Sequence, residues 1–320
     1  MSRPAVPVRT LPPAQWRARR AAHADRVEEV IGPYLRMRAC GTTHPVLDFL
    51  FTYYSSRPAH VRRWHPGFGV VLALDEYSDG RDFLAARGYR RAAGGVGVDP
   101  DYLSHRCGAV RAARSLLAAT AARPPRFGCF GLHEWAMVYR TPDRRHTAPL
   151  RLGADGTNAV VESMPLRCTH FDAYRFFTDP ARPLNEITLT PADRRTTDQP
   201  GCLHANMDLY RTCFTLAPLL DSELTLRAFE LARDAREIDM RASPYDLRAL
   251  GYEPIAVENA AGRARYVREQ TDIAARATEI RGQIIDRLDA LLAEVRGDAA
   301  EGILDVNLSA GSADATSAEV

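Results

Sequence analysis

Apolar residues return at steps of three and four along much of this chain, and the breaks between those runs divide it into elements. After Pro12-Pro13 a charged stretch reads as a helix to about Arg38, and His44-Pro45 opens a second, apolar helix through Tyr54. Gly69-Val-Val-Leu-Ala-Leu74 reads as a strand or a buried helical turn, and Ala109 to Ala122 as a helix that stops before Arg123-Pro-Pro. Leu150-Arg-Leu152 and Ala159-Val-Val161 flank Gly153-Ala-Asp155-Gly156, which predicts a hairpin between Leu150 and Met164. From Leu203 onward helices dominate. Leu224, Ala228, Leu231, Ala235 and Ile238 form one apolar stripe, with Glu223, Glu230, Asp234 and Glu237 beside it. A last helix is predicted from about Gly262 to Arg296, with Ile273, Ala277, Ile280, Ile284, Leu288, Leu291 and Val295 on one face. The pattern predicts an α+β protein, mainly helical with a small antiparallel sheet near its middle. Residues 1–296 are expected to form one globular unit, and the small, acidic segment 297–320 a disordered tail. No internal repeat of fixed period is present.

Composition narrows the function classes. A chain of 320 residues with 46% hydrophobic content can bury a substantial core. No run approaches the roughly eighteen apolar residues of a membrane span, and the N-terminus has no export-signal pattern, so a cytoplasmic protein without membrane contact is expected. Six cysteines without a CxxC pair fit a reduced compartment better than a disulfide framework. All 42 basic residues are arginine, which excludes Schiff-base, pyridoxal-phosphate and lysine phosphate-loop chemistry. Gly94-Gly-Val-Gly97 lacks the spacing of a phosphate-binding loop and marks a turn. The net charge of +2 hides a division near Arg151: 24 arginines face 12 acids before it and 18 face 28 after it, giving halves of +12 and −10. Such halves either attract each other or leave the basic one for a polyanion, and the first is the simpler reading.

One chemical theme recurs in the middle of the chain. Cys129-Phe-Gly-Leu-His133-Glu134, Cys168-Thr-His170-Phe-Asp172 and Cys202-Leu-His204-Ala-Asn206-Met-Asp208 each pair a cysteine with a histidine and a carboxylate, the groups that bind metals or move protons. On a helix His204 and Asp208 share a face, whereas Asn206 points elsewhere. Adjacent His133 and Glu134 cannot face the same way, and Met137 stands where an HExxH zinc motif would place its second histidine. Each histidine alone is as readily a core imidazole bonded to a carbonyl, and each cysteine a small buried hydrophobe. Convergence of His133, His170 and His204 on one cavity is the expectation on which an active centre depends. The acidic stripe after Glu223 reads either as a solvated face paired by Arg227, Arg233, Arg236 and Arg241 or as a carboxylate row for metals. The mixture of aromatics and arginines from Phe49 to His65 suits either ordinary packing or a nucleic-acid platform.

Phe127-Gly-Cys-Phe-Gly-Leu-His-Glu-Trp-Ala-Met-Val-Tyr139, Leu166–Phe177, Gln199–Tyr210 and Asp239-Met-Arg-Ala-Ser-Pro-Tyr-Asp246 together resemble an actinobacterial family commonly named 3-methyladenine DNA glycosylase, over about His44 to Arg281. The resemblance implies a base-excision hydrolase that cleaves an N-glycosidic bond in damaged DNA without a cofactor. Such chemistry needs a carboxylate beside a flipped base, an aromatic pocket and cations along the backbone. Asp172, Asp208, Glu134 and His170 are then the catalytic candidates, and Trp135, Phe171, Tyr174 and Asn206 the base-binding ones. The arginines of the first half would meet the phosphates. No helix-hairpin-helix glycine turn is present. The rival reading is a metal-dependent hydrolase or non-haem oxygenase in which His133, His170, His204 and Glu230 hold iron, zinc or manganese. In a third, non-catalytic interaction protein these groups are buried polar ties.

Overall fold

The computed structural model describes residues 8–75, 80–143 and 146–310, with side chains as far as Gly297. Helix accounts for 60% of it, and a small four-stranded mixed sheet makes the fold α+β. The sheet comes from the first hundred residues. Strand β1 (Arg9–Leu11) runs parallel to β2 (Val70–Ala73); β2 pairs antiparallel with β4 (Gly95–Val98), whose other edge carries β3 (Tyr89–Ala92). Gly94, at φ +77, makes the β3–β4 turn, and Gly95 lies so close to β2 that an added Cβ would sit 2.1 Å from the Leu72 carbonyl oxygen. The glycine run is thus mostly strand, with its glycines required by the turn and by the close approach of a neighbouring backbone. Leu11, Leu72 and Val96 are wholly buried against Trp16, Trp64 and Phe83, and each such side chain contributes about 1.5–3 kcal/mol.

Helix α1 (Pro13–Ala39) follows β1 and is tied to the sheet by Trp16 Nε1, which donates to the Ala73 carbonyl at 2.9 Å. Short helices α2 (Leu47–Thr52), α3 (Pro58–Arg62) and α4 (Arg81–Leu84) lead to α5 (Pro100–Ala121), capped by Asp99. The predicted hairpin is instead a helix, α7 (Gly153–Ser163), which follows the five-residue α6 (Leu132–Ala136). Thr157, Val160 and Val161 lie at helical spacing and are buried, and Asp155 in the first turn suits the positive end of the helix. Alternation of apolar residues across the Gly-Ala-Asp-Gly segment is too short to outweigh that face.

The carboxyl-terminal half packs α10 (Leu203–Thr215), α11 (Ser222–Ala242) and α12 (Ala260–Ala310) with α5, after the single turns α8 (Phe171–Tyr174) and α9 (Arg194–Thr197). Asp221 caps α11 by accepting from the Leu224 amide at 2.8 Å. The stripe Leu224, Ala228, Leu231, Ala235 and Ile238 is buried, as is that from Ile273 to Leu291 on α12. Helix α12 runs past Arg296 to Ala310, so the backbone of 297–310 is helical; residues 311–320 of the expected tail lie outside the described residues. The two charge halves meet directly: Arg19 pairs with Glu223, Arg26 with Glu230, Arg114 with Asp289 and Arg151 with Glu258. Among the described residues no helix is long and apolar enough to cross a membrane, and all six cysteines are free.

Candidate metal centre

Four separate segments deliver the central side chains. Gly131, at φ +72, starts α6 hard against the end of α11, where an added Cβ would meet Ala242 at 3.2 Å. This turn sets His133 and Glu134 beside α11, from which Arg236 and Asp239 project inward. His170 is the N-cap residue of α8, and α10 contributes His204 and Asp208 from one face. The three imidazoles meet: His204 stands 4.6 Å from His133 between ring centroids, nearly perpendicular to it, and 5.6 Å from His170, nearly parallel. His133, His170 and His204 are 4%, 0% and 4% exposed, so whatever their nitrogens face lies inside the protein.

In the first half of the centre, His133 Nε2 lies 2.7 Å from Asp239 Oδ1 without the angle of a hydrogen bond, and neither atom has another partner. Two such atoms form a buried ion pair while His133 is protonated, and both become available as ligands once that proton is lost. The remaining atoms of both side chains are fixed. His133 Nδ1 contacts Cys129 Sγ at 3.4 Å, and Asp239 Oδ2 accepts from Arg236 at 2.7 Å. Arg236, 1% exposed, also donates to Glu134 Oε1 at 2.6 Å and lies 4.0 Å over the ring of Phe49. No ring nitrogen of His204 makes a hydrogen bond among the described residues. Donor atoms of His133, His204 and Asp239 all lie within 4.8 Å of one another, so a small inward adjustment would bring them to the distance of about 2.0–2.2 Å at which ligands hold one ion.

The second half holds His170, Asp208 and Asp172, whose donor atoms also lie within 4.8 Å. His170 Nδ1 is bonded to Asp198 Oδ1 at 2.9 Å, and its Nε2 stands 3.8 Å from Asp208 Oδ2. Arg194 gathers the carboxylates, donating to Asp208 and, at 3.0 Å, to Asp198, with Asp172 at 3.6 Å. Arg211 reaches Asp172 at 3.1 Å, and Arg175 reaches the same carboxylate at 3.6 Å, both from the half-exposed side. The hydroxyls of Tyr53 and Tyr54 are buried here, that of Tyr54 close to the Asp208 carboxylate.

Burial works against charge on every group, and its neighbours decide the outcome. For His133 it is outweighed by Asp239 and Cys129, which raise the pKa well above that of free histidine. His204 is held well below it by burial and by its two imidazole neighbours. The Asp239 carboxyl, although buried, is kept far below the usual range by His133, His204 and Arg236. Burial lifts the Tyr54 hydroxyl, with Asp208 adding to the effect.

Sequence-based assignments fare unequally. Histidines 133, 170 and 204 converge, with Asp208, Asp172 and Glu134 beside them. Glu230 does not join them: it faces α1 and pairs with Arg26 at 2.6 Å, and the rest of its stripe is similarly engaged by arginines, as an ion-paired helix face. Trp135 is no base platform, because it is wholly buried and donates to the Ala242 carbonyl at 2.9 Å. Asn206 is tied between the Pro200 carbonyl and Arg281, at 3.0 and 2.5 Å. Tyr174 packs on Phe177 with centroids 5.1 Å apart, and Phe171 is a half-buried part of the same core. The residues missed are Asp239, Asp198, Arg194 and the inward role of Arg236. Asp239 carried a signal, since it continues the apolar series Ala228, Ala232 and Ala235 of α11 and places a carboxylate at a core position.

Comparison with protein-family models, with curated proteins and with solved structures gives no match.

Proposed function

We propose that this protein is a metal-dependent enzyme in which His133, His204 and Asp239 hold a divalent first-row transition ion. The observation that carries the reading is the convergence of three buried donors, from His133, His204 and Asp239, within 4.8 Å of one another; among them His133 Nε2 and Asp239 Oδ1 face each other at 2.7 Å, a distance that an ion pair also takes. Two imidazoles and one carboxylate form the donor set of non-haem iron(II) centres that keep coordination positions open, so iron is the ion we favour. When bound, the ion supplies Lewis-acid and, as iron, redox chemistry at those positions.

The chain's own residues orient the donors. Arg236 fixes Asp239 through one oxygen and Cys129 fixes the ring of His133, which is the support that ligand side chains need to hold their direction. A cleft of about 760 Å³ is lined by Phe49, Tyr53, Phe176, Arg175 and His146, and Phe49 also meets the ring of His204, with centroids 6.5 Å apart. We assign this cleft to substrate.

The glycosylase reading draws less from the geometry. Asp172 and Asp208 are gripped by Arg194 and Arg211, Trp135 and Asn206 are committed to the core, and several first-half arginines pair with second-half acids. Elemental analysis of protein purified without chelator separates the two. Near-stoichiometric iron, manganese or zinc, lost in a folded His204→Ala chain, supports the metal enzyme. Protein free of metal that takes none up on titration refutes it, and release of methyladenine from alkylated duplex in EDTA would restore the glycosylase.

A further inference from the structure

The second half of the centre repeats the construction of the first. In the first, Arg236 grips Asp239 through Oδ2, and Oδ1 stays buried without a hydrogen bond. In the second, Arg194 grips Asp208 through Oδ2, while Oδ1 stays buried with the Tyr54 hydroxyl close to the same carboxylate. His133 is fixed at Nδ1 by Cys129 and His170 at Nδ1 by Asp198; each leaves Nε2 buried and without a hydrogen-bond partner. The link from Asp198 to His170 is the carboxylate support that metal-ligating histidines commonly use, since it fixes the tautomer and makes the outer nitrogen a better donor. Between the halves lies His204, in ring contact with both other imidazoles.

We infer that His170, Asp208 and Asp172 form a second cation site, so that the centre takes two divalent ions, one on each side of His204. This rests on the one-ion reading and extends it. His170 is wholly buried and its Nε2 has no hydrogen-bond partner, whereas Asp208, 5% exposed, has the Tyr54 hydroxyl beside it and borders a cleft with Arg194 and Arg211. Arg194 does not close the site. It approaches Asp198, Asp208 and Asp172 each through Oδ2 and leaves Asp208 Oδ1 and His170 Nε2 untouched. Three carboxylates surround that one largely buried guanidinium, while Arg175 and Arg211 are 46% exposed and their charge is screened. Oxygen donors outnumber nitrogen here, whereas the first site is richer in imidazole. The second site is thus the harder of the two, suited to manganese(II) or iron(II) over zinc.

The test is a count of bound ions on the full chain. Protein stripped with EDTA is dialysed to equilibrium against manganese(II), and bound metal per chain is measured together with its electron paramagnetic resonance spectrum. About two ions per chain with an exchange-coupled spectrum are expected. Folded His170→Ala and Asp208→Asn chains should each keep about one ion, with the coupling lost. One ion in the unaltered chain overturns the second site and leaves the first intact; no ion overturns both. Two ions that persist in the folded variants also overturn it.

Discussion

Asp239→Asn separates a metal ligand from a structural ion pair, because the two roles predict opposite dependence on metal. Asparagine keeps the shape and can still accept from Arg236, which retains Glu134 at 2.6 Å. It turns one charge-assisted hydrogen bond into a neutral acceptor, a loss of about 1 kcal/mol, and relieves repulsion between two carboxylates sharing one guanidinium. The charge facing His133 at 2.7 Å is lost as well, and removing one partner of a buried pair costs about 3–5 kcal/mol, so in EDTA the variant should lie up to that far below the unaltered chain. With metal at a thousandfold excess over its dissociation constant, the unaltered chain gains about 4 kcal/mol. An unfolding entropy of about 2.1 cal/mol/K per residue gives about 0.7 kcal/mol/K for this length, so the midpoint should rise by about 6 °C. Asp239→Asn should rise by about 1 °C or less, because a ligand and a negative charge are gone. Calorimetric melts of both chains, with EDTA and with manganese(II), measure all four quantities. Equal midpoints of the unaltered chain with and without metal, or the same rise in both chains, would refute the ligand role of Asp239.

Further outcomes can be checked on the metal-free chain. Burial, with Arg63 and His23 adding, lowers the His65 pKa to about 4, so the unfolded chain binds a proton that the folded chain refuses. Stability from this group is therefore full above about pH 6.5 and is lost as the pH falls toward 4; between pH 7 and 5 it accounts for about 2 kcal/mol. His65→Gln should flatten the pH dependence of urea unfolding by that amount, and an unchanged slope would sink the assignment. Gly95→Ala should destabilise by about 2 kcal/mol or more, because its Cβ would meet the Leu72 carbonyl at 2.1 Å. Gly108→Ala in α5, where nothing lies within 4 Å of the new Cβ, should stabilise by about 0.5–1 kcal/mol. Urea midpoints that move in the same direction for both glycines would contradict the packing described.

The long helices were legible because their apolar stripes persist over several turns, as on α11 and α12, and burial of a continuous face leaves the chain little choice. The sheet was harder to place. Its strands have three or four residues each, too few for alternation to show, and Gly95-Val-Gly-Val98 reads locally as a turn until β2 is seen to lie against it. At the centre, histidines 133, 170 and 204 announced themselves by a repeated neighbourhood, yet their partners did not. Asp198 and Arg194 come from a connecting segment with no periodicity, and Arg236 looked like one more surface cation on a charged helix. Only tertiary packing turns Arg236 inward, because Glu134 and Asp239 are there to receive it. Glu230 misled for the converse reason: its regular spacing belongs to the face that meets the arginines of α1.

Every cation that clamps a carboxylate at this centre is a guanidinium, and no lysine exists to replace it. An ammonium clamp would begin to let go near pH 10.4, whereas guanidinium holds its proton beyond pH 12. Alkaline buffer therefore leaves the arginine grip on Asp239 and Asp208 intact, and what it can remove is the proton that Asp239 holds on His133.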